Sequence, residues 1–292
     1  MTTEQPQKIG ARPPSPPYPL PLFIRAAVHR PYPRPLPRPV APLAFTYDYF
    51  SERATPDCPL DWVAYRAAEH SPFALMCADV TAALAAEPLD LVAVAHTDPD
   101  CAPDISIAGF LAARRGDTPV VVAFSDQGRL APFSALQVAL AYRQHQARFQ
   151  AVLVALRQAA APYAAPGREA GGMDEAVGVL LGDTGDIELA GLHQFVDVEP
   201  ESMLGLLATR LPADLVEPVR VLWTGLPGIT GLLASRSATA RTVPVECRPG
   251  HLWRHLASEL ASRPGRAGSV LTVDYDETTT GGAAALFVHR SR

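Results

Sequence analysis

The sequence predicts an α/β fold with a mostly parallel sheet that is covered by helices on both faces. From residue 71 onwards, segments with helical periodicity alternate with short apolar runs, which is the order typical of βα units. These apolar runs have no polar face, as expected for strands that are buried on both sides. A composition of 48% hydrophobic and 19% charged residues is sufficient for a large core and excludes a chain that is disordered throughout.

The first sixty residues are dominated by proline, which fixes φ and removes a backbone donor. We therefore predict a disordered tail over residues 1–20 and an irregular Pro-rich connector over residues 31–60. Between them, residues 22–28 are apolar enough for a strand that joins the main sheet. A PxxP motif at the end of the connector is more typical of an extended surface segment than of a ligand for an SH3-like groove.

The alternating pattern gives the remaining elements of the N-terminal half, residues 21–160. Ser71 as N-cap and Pro72 at the first helical position begin a helix that runs to about residue 86. Further helices are predicted over residues 105–115 and 132–147, and buried strands over residues 89–95, 119–124 and 151–156.

The C-terminal half, residues 161–292, is less regular. Two strands, residues 176–181 and 187–192, are predicted on either side of a Gly/Asp turn, and a third over residues 219–223. A helix follows over residues 251–262. The chain closes with a predicted antiparallel pair of strands, residues 269–275 and 282–288.

Charge and motif content restrict the classes of function. A net charge of −5 argues against a nucleic-acid-binding surface. No apolar run is long enough to span a bilayer, and the N-terminus lacks a signal peptide, so a soluble cytoplasmic protein is expected. The chain has no Gly-rich nucleotide loop and no GxSxG elbow, so no cofactor is expected.

Histidine and cysteine spacing does not indicate a metal site. His251 and His255 are four residues apart and would share a helix face, but no third ligand has a recognisable spacing. The four cysteines (Cys58, Cys77, Cys101 and Cys247) show no CxxC pairing, so neither a zinc knuckle nor a disulfide framework is expected. Cys77 is predicted to be a core residue, and the acids near Cys101 make it a poor nucleophile.

The order of motifs resembles the class III β-ketoacyl-acyl-carrier-protein synthases of the thiolase superfamily. Residues 94–100 (VAHTDPD) match the family's strand-end loop, and residues 174–181 (DEAVGVLL) resemble its "DGAGAVVL" strand. The closing segment, residues 274–286, resembles the family's last two strands. The resemblance implies a thiolase-like five-layer α/β/α/β/α fold with two pseudo-repeated halves, the C-terminal one shortened.

The same resemblance indicates which positions correspond to the family's catalytic residues. The nucleophile turn, typically D-x-x-x-x-C-S-G-F, aligns with residues 126–133, where Arg129 or Leu130 replaces the cysteine. Gly225 falls where the family has its histidine, and His251 falls where it has its asparagine. The implied catalytic residues are therefore absent or altered.

This pattern resembles the non-catalytic subunits of paired ketosynthases. It implies an inactive subunit in fatty-acid or polyketide-type biosynthesis that dimerises with an active ketosynthase, or with itself. An acyl carrier protein is a further candidate partner. Residues 151–156 are expected to form the interface strand, unless that strand lies in the middle of its own sheet.

Two alternatives remain open at this stage, and with them the question of whether the chain is an enzyme. One is an active acyltransferase that uses a residue other than cysteine, with Ser125, Asp126 and His96 as candidates. The other is a free-standing protein that binds acyl groups or another small ligand.

Overall fold

The computed structural model describes most of the chain outside the Pro-rich N-terminus. The described residues are 20–36, 44–54, 59–63, 70–97, 99–125, 127–159, 173–212, 215, 218–226, 228–234, 241–245, 250–262 and 267–289. The residues outside them include 1–19 of the predicted tail, 37–43 and 55–58 of the connector (Cys58 among them), Asp126 and Cys247. Leu20, the last residue of the predicted tail, is described, and its backbone N–H donates a hydrogen bond to Gln144 Oε1 at 3.1 Å.

Within these residues the chain forms ten strands and seven α-helices. The strands are β1 Phe23–Tyr32, β2 Leu91–His96, β3 Val120–Phe124, β4 Gln150–Arg157, β5 Asp174–Gly182, β6 Ile187–Phe195, β7 Val219–Thr224, β8 Arg241–Pro244, β9 Gly268–Asp276 and β10 Gly281–His289. The helices are α1 Ala44–Arg53, α2 Phe73–Leu84, α3 Ile107–Arg115, α4 Ala131–Arg143, α5 Pro200–Arg210, α6 Ile229–Ala234 and α7 His251–Ala261. None of these helices has the length and apolar content needed to cross a membrane.

The strand pairing repeats once along the chain. The order is β3-β2-β4-β5-β1-β6-β10-β9-β7-β8. Read from its outer edge towards the middle of the sheet, each half of five strands has the order third, second, fourth, fifth, first. In both halves the second strand runs parallel to the third and fourth, and the fifth runs antiparallel to the fourth and first. The two halves meet where Phe23 and Ile24 of β1 pair with Glu188 and Ile187 of β6. The predicted pseudo-repeat is confirmed.

Three hydrophobic clusters separate five layers. The largest lies between the two five-stranded units and contains residues of α4 and α7 together with strands of both halves. A second lies under α2 and α3 on the outer face of the N-terminal strands, and a third lies under α5 and α6 on the outer face of the C-terminal strands. Successive residues of β2 alternate between clusters, since Leu91 and Ala93 face the centre while Val92 and Val94 face α2. This two-sided burial explains why the strands have no polar face.

Strand β4 is not an edge strand, so the predicted interface at residues 151–156 is wrong. It lies between β2 and β5 and is hydrogen-bonded to both. The outermost strand of the N-terminal half is β3, whose Val120 is 44% exposed. The apolar sequence of β4 reflects burial between helices on both faces rather than contact with a partner.

Strand β5 completes the N-terminal unit, because it pairs with β4 and with β1. The first set of five strands therefore ends, and the second begins, in the turn at residues 183–186. This turn is later in the chain than the division at residue 160 that the sequence suggested. The two strands predicted on either side of the Gly/Asp turn, β5 and β6, are not paired with each other, since β1 lies between them.

Two local predictions also differ from the structure. The N-cap of α2 is Pro72 rather than Ser71. The Ser71 hydroxyl instead accepts a hydrogen bond from the backbone N–H of Leu36 at 3.1 Å. Residues 44–53, predicted to be irregular, form helix α1, whose Phe50 packs against Cys101 and Ala102.

Candidate active-site region

The central helix α4 begins directly after a single 3₁₀ turn, Gly128–Leu130, that leads in from β3. Pro132 lies in the first turn of α4, where a missing N–H costs nothing. Arg129 and Leu130, the two positions predicted to replace a nucleophile, are therefore both at the start of a central helix. The side chain of Leu130 is partly buried and packs against the central hydrophobic cluster.

The guanidinium of Arg129 is bound by the C-terminal half of the molecule. Nη1 donates a hydrogen bond to Thr224 Oγ1 at 3.1 Å, and Nη2 donates to the backbone carbonyl of Tyr275. Nη2 also lies 3.7 Å from Asp274 Oδ1, and Nε lies 4.0 Å from Asp276 Oδ2. The side chain of Arg129 is only 14% exposed. We call this group the arginine cluster. Its members are Arg129, Thr224 of β7, and Asp274, Tyr275 and Asp276 of β9.

Asp274 is the more buried of the two carboxylates in the arginine cluster. Burial raises the pKa of its carboxyl to about 6, although Arg129 and the Thr224 hydroxyl act in the opposite direction. The Thr224 hydroxyl donates to Asp274 Oδ1 at 2.6 Å while it accepts from Arg129. The three side chains thus form one connected network at the ends of β7 and β9.

Gly225 joins the arginine cluster through its backbone. Its φ is +64°, a left-handed conformation that favours glycine. A Cβ placed on this residue would lie 2.1 Å from the carbonyl oxygen of Tyr275 and 3.2 Å from Nη2 of Arg129. The structure therefore brings Arg129 and Gly225 together, and no side chain fits at the position where the resemblance predicts a histidine.

His251, the first residue of α7, belongs to a second cluster that is centred on Glu175 of β5. Its Nε2 lies 3.8 Å from Glu175 Oε1, which also accepts a hydrogen bond from Arg157 at 3.1 Å. The other carboxylate oxygen lies 3.0 Å from His29 Nε2 and 3.7 Å from Arg254 Nη1. Burial acts to raise the pKa of Glu175, but the hydrogen bonds from His29 and Arg157 and the charges nearby outweigh it and lower that pKa. We call this group the glutamate cluster.

The two clusters lie at the starts of the two central helices. Phe133 is the third residue of α4 and Trp253 is the third residue of α7, and their rings meet edge to face with centroids 5.4 Å apart. The first turns of α4 and α7 therefore pack against each other. Arg129 precedes one helix and His251 begins the other, in keeping with the repeat of the strands.

Two of the three residues considered as alternative nucleophiles or bases, His96 and Ser125, lie at the ends of β2 and β3. Ala95 and Phe124 are register partners, so His96 and Ser125 follow at the same end of the sheet. The ring of His96 contacts Phe73, with centroids 5.0 Å apart. Cys77 and Cys101 are both buried, and burial raises the pKa of Cys77 to about 12, which makes its thiol a poor nucleophile.

In the described part of the chain, no group of three or more His, Cys, Asp or Glu side chains is arranged to hold a metal ion. His251 contacts Glu175, whereas His255 lines a surface groove between β1 and α7.

Comparison with known proteins identifies the fold from structure alone. No family model and no curated protein sequence matches the chain. Among solved structures, the acyltransferase ChlB3 superposes with a TM-score of 0.59 at 13% identity, over 93% of this chain and 98% of that one. The chain has a thiolase-like fold.

Two further matches are condensing enzymes of the polyketide and fatty-acid type. Germicidin synthase from Streptomyces coelicolor, a type III polyketide synthase, superposes with a TM-score of 0.56 at 12% identity, over 92% of this chain and 99% of that one. The 3-oxoacyl-(acyl carrier protein) synthase III FabH from Pseudomonas aeruginosa PAO1 gives a TM-score of 0.52 at 15% identity, over 93% and 99%. The ketosynthase-like fold that the motif order predicts is confirmed.

The carboxylates of the two clusters are site residues that no sequence motif marks. Glu175 and Asp274 stand in strands, β5 and β9, that are buried along their length and are rich in apolar residues. A carboxylate in such a strand requires a cation or several donors beside it. That requirement is a signal in the sequence, but only the fold shows which cation meets it.

Proposed function

We propose that this chain is a ketosynthase-like subunit that does not form an acyl-enzyme and that acts beside an active condensing enzyme. The arginine cluster is the observation on which the proposal rests. Where the resemblance places a nucleophilic thiol, at the start of α4, the chain has Arg129, and the guanidinium is bound by Thr224, Asp274 and Asp276.

The chemistry of these side chains supports an inactive centre. A guanidinium stays protonated at neutral pH and is not a nucleophile, and the aliphatic side chain of Leu130 cannot accept an acyl group. Transfer from a thioester also needs donors that stabilise the oxyanion as it forms. The donors of Arg129 already bind Thr224 and Tyr275, and Gly225 leaves no room for a histidine.

Intact-protein mass spectrometry tests the inactive centre. The purified chain is incubated with acyl-coenzyme A or an acylated carrier protein, beside a cysteine-bearing ketosynthase as positive control. We expect the chain to keep its unmodified mass while the control gains the acyl group. A stable adduct on any residue from Phe124 to Phe133 overturns the proposal. An adduct on Ser125 or His96 supports the alternative of an active acyltransferase.

The edge of β3 supports a partner. All five residues of β3 are apolar, its Val120 is 44% exposed, and β2 is the strand that pairs with it. A flat apolar edge without lysine or proline favours pairing with another chain. We propose that this edge joins the sheet of an active homologue, or of a second copy of this chain, so that the partner supplies the catalytic residues.

Co-purification tests the partner. We expect a tagged chain that is co-expressed with a cysteine-bearing ketosynthase from the same genome to elute with it as one species. A chain that remains monomeric in its presence and alone contradicts this part of the proposal. If such a monomer also stays unmodified by the thioester yet binds acyl chains, it is the free-standing binding protein.

A further inference from the structure

A surface groove runs between strand β1 of the N-terminal half and helix α7 of the C-terminal half. It has a volume of about 520 Å³, within the range of roughly 300–1,000 Å³ that is typical of small-molecule sites. Its lining residues are Ala27, Val28, His29, Arg254, His255, Ala257, Ser258 and Ala261. The floor is therefore apolar and built of small side chains, while the polar groups are a hydroxyl and three basic side chains.

In the part of the chain that the structure describes, basic side chains outnumber acidic ones beside the groove. Glu175 is 4% exposed and is the acid of the glutamate cluster, where the arginines Arg157 and Arg254 both lie within 4 Å of it. Among the described residues, two arginines lie against this one carboxylate, and His29 and His251 add positive charge when they are protonated. Glu259, the acid within α7, pairs instead with Arg220 at 3.4 Å.

Arg254 connects the buried cluster to the groove. Its side chain is 36% exposed, and its Nη1 lies 3.7 Å from Glu175 Oε2, a longer distance than the 3.1 Å between Arg157 and the same carboxylate. Arg157 and His29 occupy the closer positions on the carboxylate. The guanidinium of Arg254 is thus held at the groove by Glu175 and retains donors for a second acceptor.

We propose that this groove binds an organic anion, an apolar chain that ends in a carboxylate or a phosphate. The small side chains of β1 and α7 take the apolar chain. Arg254, with His255 and His29, takes the anionic end through charge-assisted hydrogen bonds. The site is distinct from the arginine cluster and does not depend on whether the chain forms an acyl-enzyme.

Isothermal titration calorimetry with four probes tests the proposal on the full chain. The probes are octanoate, octyl phosphate, 1-octanol and inorganic phosphate. We expect at least one of the two anionic chains to bind about tenfold or more tightly than octanol and than inorganic phosphate, because both the charge and the chain contribute. The ratio between octanoate and octyl phosphate identifies the preferred anion. Equal affinity for octanol and the anions, or no binding of either anion, overturns the proposal.

Two variants locate the site. Arg254→Gln removes the charge and should weaken binding of the anionic chain about tenfold or more. Its matched control is Arg114→Gln on α3, an exposed arginine that stacks over Phe110 and should leave the affinity unchanged. Ser258→Trp, at an exposed position of α7 one turn after Arg254, fills the groove with a bulky side chain and should abolish binding. Unchanged affinity in Ser258→Trp overturns the assignment to this groove, even if Arg254→Gln fails to fold.

Discussion

At the start of α4 a buried arginine and two buried carboxylates depend on one another. Asp274 and Asp276 are 3% and 5% exposed, and a carboxylate in such a position is costly unless a cation and donors meet it. Arg129 supplies both, and Thr224 completes the hydrogen bonding of Asp274. Replacing Arg129 alone by a catalytic cysteine would leave the two carboxylates without their cation. The arginine is therefore part of the local structure as well as the reason that a nucleophile is missing.

The raised pKa of Asp274 predicts how stability depends on pH. Its pKa is about 6 in the folded chain against 3.8 for the free side chain, so between these values the folded state binds more protons than the unfolded state. Stability from this residue therefore falls as pH rises through that window, by up to about 3 kcal/mol. We expect the free energy of unfolding of the wild type, relative to Asp274→Asn, to decrease from pH 4 to pH 7 in urea titrations.

Glu175→Gln gives the opposite sign and serves as the control. The pKa of Glu175 is lowered by His29 and Arg157, so its stabilisation is present at neutral pH and is lost as the pH falls below the ordinary carboxyl range. The wild type should then gain stability over Glu175→Gln as the pH rises towards 4.5, the ordinary value for this side chain, and should gain no more above it. Two difference curves with the same slope would show that the assignment of the two environments is wrong.

Gly225 is expected to tolerate no side chain. In Gly225→Ala the new Cβ would stand 2.1 Å from the carbonyl oxygen of Tyr275, in a backbone conformation with φ of +64°. Residues 225 and 275 would have to separate, and we expect a loss of stability of several kcal/mol, on the order of the largest point-mutation effects. Thermal unfolding followed by circular dichroism measures the loss.

Gly205 of α5 offers the matched substitution. A Cβ at this helical position meets nothing within 4 Å, so Gly205→Ala should be neutral or should stabilise the chain by about 0.5–1 kcal/mol through helix propensity. If the two alanine variants melted at the same temperature, the close approach at Gly225 would not exist in solution.

At the scale of elements, β3 is where a partner is expected to pair. The backbone N–H of Val120 donates to the carbonyl of Asp90, next to β2. Because successive residues of a strand alternate, the N–H groups of Val121 and Ala123 point to the open edge. Ala123→Pro removes one of these outward donors and blocks pairing while the bonds to β2 remain.

We therefore expect Ala123→Pro to abolish the dimer or heterodimer on size exclusion without changing the circular dichroism spectrum. Ala123→Thr keeps the N–H and should keep the partner. If Ala123→Pro eluted at the same volume as the wild type assembly, the interface would have to lie elsewhere.

Some elements were predictable from local pattern and others depended on distant contacts. The apolar runs that become β2, β4 and β9 were evident because each is buried on both faces. The position of β4 in the sheet was not evident, since an apolar run fits the middle of a sheet as well as an edge. Helix α1 lies in a Pro-rich region and owes its place to the packing of Phe50 on Cys101, a contact that no local pattern specifies.

The candidate site shows the same division. The order of motifs placed Arg129 and Gly225 at one site, and the structure brings them together. The same order assigned His251 to the family's asparagine position, and in the structure this side chain lies against the buried Glu175. The partner of a buried charge depends on which strands become neighbours, and that is a property of the whole sheet.

At the scale of the whole molecule, the two halves repeat each other in strand order but share one central core. Helix α4 belongs to the N-terminal half and contacts β6 and β10 of the other half, while α7 belongs to the C-terminal half and contacts β1 and β5. Both ion clusters also cross between the halves, since Arg129 meets Asp274 and His251 meets Glu175. Each half alone would therefore expose the apolar face of its central helix and leave buried charges without partners.

We accordingly predict that neither half folds by itself. We would divide the chain in the turn at residues 183–186, because β1 to β5 precede this turn and β6 to β10 follow it. Fragments 1–184 and 185–292 should each be insoluble or lack a cooperative thermal transition when expressed alone, since the central layer would be open to water.

Expressed together, the two fragments should form a soluble complex through α4 and α7. The intact chain should unfold in one transition, with calorimetric and van't Hoff enthalpies that agree. A cooperative transition in fragment 1–184 alone would mean that the outer core under α2 stabilises the N-terminal half, and that the shared central layer is not required for it to fold.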